Sequence, residues 1–588
     1  MRPASQPGRA CCVLAALALA AAPACRREPA RPSSSQTPQL RRLAADLGTV
    51  AQRTLDGDTR PSVRLTPGQA RRLSLDLPEG GVLTLALAAG GATPASFARL
   101  TVSARGRVLL EARRHPRPWP RWHTLTVDLP PGRPLEIDLA AEFVDRAGAL
   151  LPASESANSY LDVAAPRVLA KRPAGPRRVL VWVSLDTVRA DRLSLYQNAR
   201  ATTPHLGRRA ANWTVFEQAV SCSAWTLPAM VSQFTSRLPG FHGVVGARLA
   251  RRDIDETLFE RLAASGFTVL GVSANRFLTA RFNLAAGFDT LSLTRGRADD
   301  VNRLALQALD DWPGGDLALF VHYMDPHLPY DPPPPWDTHF AAEADQLGGW
   351  PALSGSAAAR GHDARLRARY DSELAWTDDR IEALLGALER RGLLHDALIV
   401  LSADHGEELD DRGGFGHGHT LHDELVHVPL ALGLPGRAGR RIAPAVSLLD
   451  LAPTVLELLG VKAPATFQGR SLMPLLDGRG WSAQPAIAET SRDPLRRRQA
   501  LLRDGGLKYV ATVSADGASP VALADERLYD LEQDPGERAP QHDHPRQAEL
   551  RRRLLAYVEA ARAHAARPRP AALDNHDREE LRALGYVE

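Results

Sequence analysis

Two apolar runs of strand length, each stopping abruptly at a carboxylate, constrain this chain more than any other feature. One reads Arg178-Val-Leu-Val-Trp-Val-Ser-Leu-Asp186-Thr187; the other reads Leu398-Ile-Val-Leu-Ser-Ala-Asp404-His405-Gly406. Runs that are apolar at successive positions fit strands covered on both faces, as in a parallel sheet between two helix layers. Polar groups gather at the carboxyl ends of such strands. The first run is followed by Ala224-Trp-Thr226-Leu-Pro228, so Asp186, Thr226, Asp404 and His405 are candidates for one site. Three oxygen donors and an imidazole suit a hard or borderline divalent cation such as Ca2+, Zn2+ or Mn2+. Taken singly, each Asp or Thr has a structural alternative as the cap of the helix that follows.

The remainder of the chain divides by composition. At 588 residues it exceeds one ordinary domain, and 44% hydrophobic with 24% charged residues is a globular balance. Lysine occurs only at 171, 462 and 508; the positive charge is otherwise arginine, interleaved with acids to a net +4. No basic stripe forms, so nucleic acid is not an expected partner. Residues 1–25 read as a lipoprotein signal peptide: Arg2 and Arg9, an apolar run from Val13 to Ala22, then small residues before Cys25. That run is too short for a permanent span. Lipidation of Cys25 would anchor the chain in the bacterial cell envelope, on the periplasmic or outer face, with plain secretion as the alternative. With the segment removed, Cys25 and Cys222 are the thiols left, and the fold needs no disulfide.

Residues 26–57 have the Pro and Ser content of a flexible tether. Over 58–172, alternating runs such as Leu73-Ser-Leu-Asp-Leu77 and His123-Thr-Leu-Thr-Val-Asp-Leu129 predict a β-sandwich, read as an accessory spacer or packing domain, with carbohydrate or wall binding as the alternative. From 177 to 460, strand-like runs at Phe267–Ser273, Leu317–His322 and Ala397–Leu401 alternate with helical stretches at Leu258–Ala264 and Tyr370–Arg391. The expected fold is α/β, a mainly parallel central sheet flanked by helices. Residues 461–588 predict a small α+β subdomain with a closing helix near Gln547–Ala566.

Several motifs together resemble the sulfatase family of the alkaline phosphatase superfamily. Its opening is similar to Ser184-Leu-Asp186-Thr187-Val-Arg189-Ala-Asp191 with Thr203-Pro204. Its second metal segment is similar to Asp404-His405-Gly406-Glu407-Glu408 with Gly416-His417-Gly418-His419. Later signatures match Asp450-Leu-Ala-Pro453-Thr454, Leu528-Tyr529-Asp530, Asp534-Pro535-Gly536 and the tail Leu581-Arg-Ala-Leu-Gly-Tyr586. The resemblance implies a metal site at Asp186, Thr226, Asp404 and His405. It also implies catalytic roles for Thr226, His327 and His417, and substrate contacts from Asn275 and His419. Asp325, with His327 and His417, would supply a second metal site, or the two histidines would hold the non-bridging oxygens directly.

The pattern is broken where sulfatases carry an oxidised Cys or Ser. The matching position is Thr226, which cannot become formylglycine, and the arginine four residues on is Met230. The sulfate-holding lysines have no counterpart between Lys171 and Lys462, and histidines stand nearby instead. The resemblance therefore implies a metal-dependent hydrolase of sulfate or phosphate esters without formylglycine, acting on small-molecule, glycan or lipid esters. Two alternatives stay open: a phosphoethanolamine-type transferase, and an inactive sulfatase-like binding protein.

Overall fold

The structure is a computed structural model. It describes residues 40–586 apart from 56, 91–96, 115–121, 157, 171–176, 341–362, 492–497, 515–520 and 584–585. The expected signal peptide with Cys25, residues 26–39 of the expected tether, and the segment joining the sandwich to the α/β region lie outside the described residues. The rest of the expected tether is not a tether: it forms the strands Leu40–Arg42 and Val50–Leu55 and a short helix Ala44–Leu47, which pair and pack with the sandwich.

The centre is a 15-stranded sheet. Its parallel heart runs in the order Ala397–Ala403, Val179–Leu185, Leu317–Tyr323, Thr268–Ser273, Thr290–Leu293. All seven residues of each of the first three strands are buried, which requires cover on both faces and explains their unbroken apolar reading. Antiparallel strands His427–Gly433 and Thr214–Val220 extend one side. The helix Leu258–Ala264 starts with a capping box, Thr257 and Glu260 satisfying each other's backbone N–H groups. A helix at Ala298–Asp310 packs on the strands Thr268–Ser273 and Leu317–Tyr323, and a long one at Asp363–Arg390 packs on that helix.

An aromatic cluster at the core fixes the helix Thr226–Thr235 against the sheet. Phe234 meets Trp182 edge-on at 6.0 Å and Phe320 at 5.4 Å, while the Trp182 Nε1–H donates to Ser402 Oγ at 2.8 Å. Burial of each such ring contributes about 2–3 kcal/mol before edge-to-face contacts are added.

The N-terminal region is a sandwich. The antiparallel sheet Ala70–Leu77, Gly132–Val144, Phe97–Ala104, Arg107–Arg114 shares a core with the strands Asp58–Leu65, Tyr160–Ala170, Gly81–Gly90 and His123–Leu129. Strict alternation is visible in Phe97–Ala104, where every second residue is buried. The second of these sheets is not separate. Its strand Asp58–Leu65 pairs antiparallel with the edge strand Thr290–Leu293, Leu291 opposite Thr59 and Ser292 opposite Asp58. The central sheet thus continues into the sandwich. Arg42 reinforces the junction: Nε donates to Asp289 Oδ1 at 2.8 Å, and its guanidinium reaches the carbonyls of Ala263 and Phe267. At the other end, a four-stranded antiparallel sheet (Ala486–Thr490, Arg498–Asp504, Leu507–Val513, Leu523–Asp530) packs with the helix Gln547–His564.

Candidate active site

Strand register assembles the site. Leu185 pairs with Ala403, so Asp186 and Asp404 emerge side by side at the carboxyl ends of adjacent strands. On the other side Ser184 pairs with His322, and His322 pairs with Ser273, two residues before Asn275. Four neighbouring strands therefore deliver Asp404, Asp186, His322 and Asn275 to one edge. Thr226 arrives separately, as the first residue of its buried helix, with its hydroxyl at the positive end of the helix dipole.

Asp186, Thr226, Asp404 and His405 are all 0% exposed. Asp186 Oδ2 accepts from Asn275 Nδ2 at 2.6 Å and lies 3.2 Å from His322 Nε2. Asp404 Oδ1 accepts the backbone N–H groups of His405 at 2.8 Å and Thr187 at 3.2 Å. Thr187 reaches this position with φ of 57°. A β-branched residue in the left-handed region is strained by about 1–3 kcal/mol, and the conformation aims its N–H at the carboxylate.

The remaining oxygens make the case for a cation. Asp186 Oδ1 and Asp404 Oδ2 are buried without a hydrogen-bond partner. Both face His405 Nε2, at 3.8 and 3.4 Å. His405 Nδ1 donates to the Gly406 carbonyl at 2.9 Å, which leaves the Nε2 lone pair pointing at the cluster. Burial, and then the Asp186 charge, push the Asp404 carboxyl well above the usual carboxylate range. Burial acts on Asp186 too, but the His322 contact and the charges of His327 and His405 outweigh it and hold that group at about 2. Two buried carboxyls side by side cannot both ionise readily unless a cation stands between them. Among the described residues, Asp186, Asp404 and His405 have ligand atoms within 4.8 Å of one another, a spacing that can hold a metal ion. The donor set fits such an ion. Thr226 Oγ1 stands 3.2 Å from His405 Nε2, at the margin of this group.

His327 and His417 close the far side, their rings 5.0 Å apart, with His405 4.5 Å from His417. His417 Nδ1 is held by Glu407 Oε1 at 2.9 Å, and His327 Nδ1 donates to the Leu328 carbonyl at 2.6 Å. Both rings thereby turn Nε2 toward the space over Thr226.

Other expected residues are placed elsewhere. Asp325 does not join a second metal site: its Oδ1 accepts from Ala298 N and Trp376 Nε1, both at 2.9 Å, and ties two helices together. His419 does not face the reaction centre; its Nε2 meets Glu408 Oε2. Asn275 is near the site as expected, but its amide is committed to Asp186 and to the turn at Phe277 N. Cys222 is buried 3.7 Å from Ser447 Oγ, its thiol pushed up to about 12 by burial.

Three residues of the site carried no assigned role in the sequence reading. His322 was legible only as a lone imidazole ending an apolar strand, and Glu407 as the acid after Asp404-His405-Gly406. Tyr586 was legible only as part of a tail motif. Its hydroxyl lies 3.0 Å from His417 Nε2, 3.2 Å from His327 Nε2 and 3.5 Å from Thr226 Oγ1.

The Sulfatase family model matches residues 178–461. Arylsulfatase K of Xenopus laevis is 32% identical over 182 residues, 29% of this chain and 33% of that protein. The chain thus spans about a third of the length of the curated relatives it matches. Among solved structures, the fold resembles a protein in complex with its substrate D-glucosamine-2-N,6-O-disulfate, with a TM-score of 0.56 and 16% identity over 66% of this chain and 98% of that one. It also resembles the phosphonate monoester hydrolase of Silicibacter pomeroyi, with a TM-score of 0.52 and 21% identity over 66% of this chain and 96% of that one.

Proposed function

Residues 178–461 belong to the sulfatase family, and from that membership we propose that the chain is a metal-dependent hydrolase of sulfate or phosphate esters in which Thr226 supplies the attacking oxygen. The observation that carries this reading is the meeting of Thr226 Oγ1 and His405 Nε2 at 3.2 Å, beside two buried carboxylate oxygens without hydrogen bonds. A divalent cation held by Asp186, Asp404 and His405 would lower the pKa of the threonine hydroxyl and polarise the ester.

The chain's own groups set the rest. The helix N-terminus favours negative charge on Thr226 Oγ1 as it attacks sulfur or phosphorus. His327 and His417 present Nε2 to the same space, where they stabilise charge on the transferring group and protonate the departing alcohol. The Oγ1–S or Oγ1–P bond forms as the bond to the leaving oxygen breaks. Water then displaces threonine, releasing sulfate from a sulfate ester or a phosphate monoester from a phosphodiester, and a proton from that water restores the hydroxyl.

Threonine in place of formylglycine favours phosphodiesters over sulfate esters. A formylglycine hydrate expels sulfate by collapsing to the aldehyde, a route closed to Thr226. The fold itself serves both chemistries, being shared by the two structures compared above, so the preference rests on the nucleophile. Aryl phosphodiester and aryl sulfate hydrolysis should be compared on metal-replete protein, wild type beside Thr226→Ala. Phosphodiester turnover is expected to exceed sulfate turnover, and Thr226→Ala to lose about two orders of magnitude or more. Sulfate release without phosphodiesterase activity would overturn the preference; full activity in Thr226→Ala would overturn the nucleophile.

A further inference from the structure

The space over Thr226 is already occupied by the chain itself. Three groups from distant segments (Thr226 Oγ1, His327 Nε2 and His417 Nε2) converge on the hydroxyl of Tyr586 within 3.5 Å. The phenol ring is seated against Trp225, at 6.0 Å between centroids, and edge-on to Phe277 at 4.9 Å. Only 6% of the residue is exposed. A tetrahedral ester group approaching Thr226 has to occupy the same space, and it cannot do so while the phenol oxygen is there.

The attachment behind Tyr586 is of a releasable kind. The helix Asn575–Ala583 is docked by ion pairs at its rim: Arg281 with Asp574 and Asp577, both at 2.7 Å, Arg276 with Glu580 at 3.3 Å, and Arg295 with Glu580. The side chains of Arg281, Asp574 and Arg295 are 41%, 52% and 61% exposed, a setting in which ion pairs are weak and salt-screened, while those of Arg276, Asp577 and Glu580 are 22%, 19% and 20% exposed. Leu581 of this helix is buried in the main core, and its carbonyl accepts from Tyr586 N at 2.8 Å. Upstream, Arg569–Pro570 pairs antiparallel with Leu249–Ala250.

We propose that the helix Asn575–Ala583 and Tyr586 act as a self-inhibiting strap, with the Tyr586 hydroxyl filling the reaction centre and the ion pairs at the helix rim holding it there, so that an ester gains Thr226 only when the strap is displaced. The proposal rests on Thr226 marking the reaction centre, and its test is separable from the hydrolase reading. Binding of inorganic phosphate is measured by calorimetry on full-length wild type, Tyr586→Ala and Arg295→Ala, each with excess zinc. Ester turnover is measured in parallel.

A ligand that must first displace a closed strap binds more weakly by the fraction of open molecules. Phosphate is therefore expected to bind Tyr586→Ala about tenfold or more tighter than wild type, a gap of the size an open fraction near one tenth would give. Arg295→Ala, remote from the centre, should shift in the same direction by less. Added sodium chloride should narrow the gap between wild type and Tyr586→Ala. The variants should also gain kcat/KM on whichever ester is turned over. Tighter phosphate binding with no ester turnover in any protein would support the strap and remove the hydrolase reading. Equal phosphate binding in all three, or weaker binding with lost turnover in Tyr586→Ala, would overturn the strap; the latter would make Tyr586 part of the machinery.

Discussion

Asp404 is where sequence, geometry and energetics meet most tightly. Its Oδ1 accepts two backbone N–H groups, and its Oδ2 has no hydrogen bond in a fully buried position. Asp404→Asn is therefore expected to keep the fold, since the amide oxygen still accepts from His405 and Thr187, while abolishing stoichiometric metal. Elemental analysis beside a thermal melt checks both halves; undiminished metal in the variant would remove Asp404 from the site. The four residues Asp186, Thr226, Asp404 and His405 were legible because each ends or follows a run whose burial is written in its composition. His322 and Asn275 were not legible as partners of Asp186. Their contact depends on which strand lies beside which, and apolar runs do not state their order in a sheet. Tyr586 was still harder to place, being 360 residues from Thr226 along the chain.

At the scale of elements, the type and place of helices and strands were readable, and their ends less so. The predicted helix at Leu258–Ala264 is observed with those bounds, and the strand predicted over Ala397–Leu401 runs to Ala403. The long helix begins at Asp363, earlier than its apolar pattern suggested, and the closing helix ends at His564, two residues short of expectation. The turn before the helix Leu451–Leu458 offers a pH test. Asp450 Oδ1 accepts from Arg470 N at 2.8 Å, and burial raises the carboxyl to about 6 despite the Arg470 contacts. An unfolded aspartate titrates near 4. Between those values the folded state holds the extra proton, so this group's contribution to stability is full below about pH 4, falls as pH rises to about 6, and then levels off. Asp450→Asn removes that dependence. The difference in Tm between Asp450→Asn and wild type is expected to move in favour of the variant across this window, by an equivalent of about 2–3 kcal/mol. A difference that does not change with pH would show that Asp450 keeps its charge throughout.

At the scale of the whole molecule, the sequence suggests a sandwich ahead of the catalytic domain, as a spacer or packing domain, without its backbone connection, because alternation reveals a half-buried strand but not its outer neighbour. The backbone pairing of Asp58–Leu65 with Thr290–Leu293 makes the sandwich the continuation of the catalytic sheet. A chain begun at residue 177 would present Thr290–Leu293 as an open sheet edge, with Asp289 deprived of Arg42. Such a truncated protein is expected to self-associate, as measured by light scattering at increasing concentration; a monodisperse monomer of unchanged melting temperature would show that the junction is dispensable. The shared ladder also bears on how a protein of this build can be inherited. A domain joined to its neighbour only by a linker can be cut out and grafted onto another chain intact. Here a recombination breakpoint in the linker would leave an unpaired rim on both products, so the two regions are expected to travel, duplicate and be lost as one heritable unit.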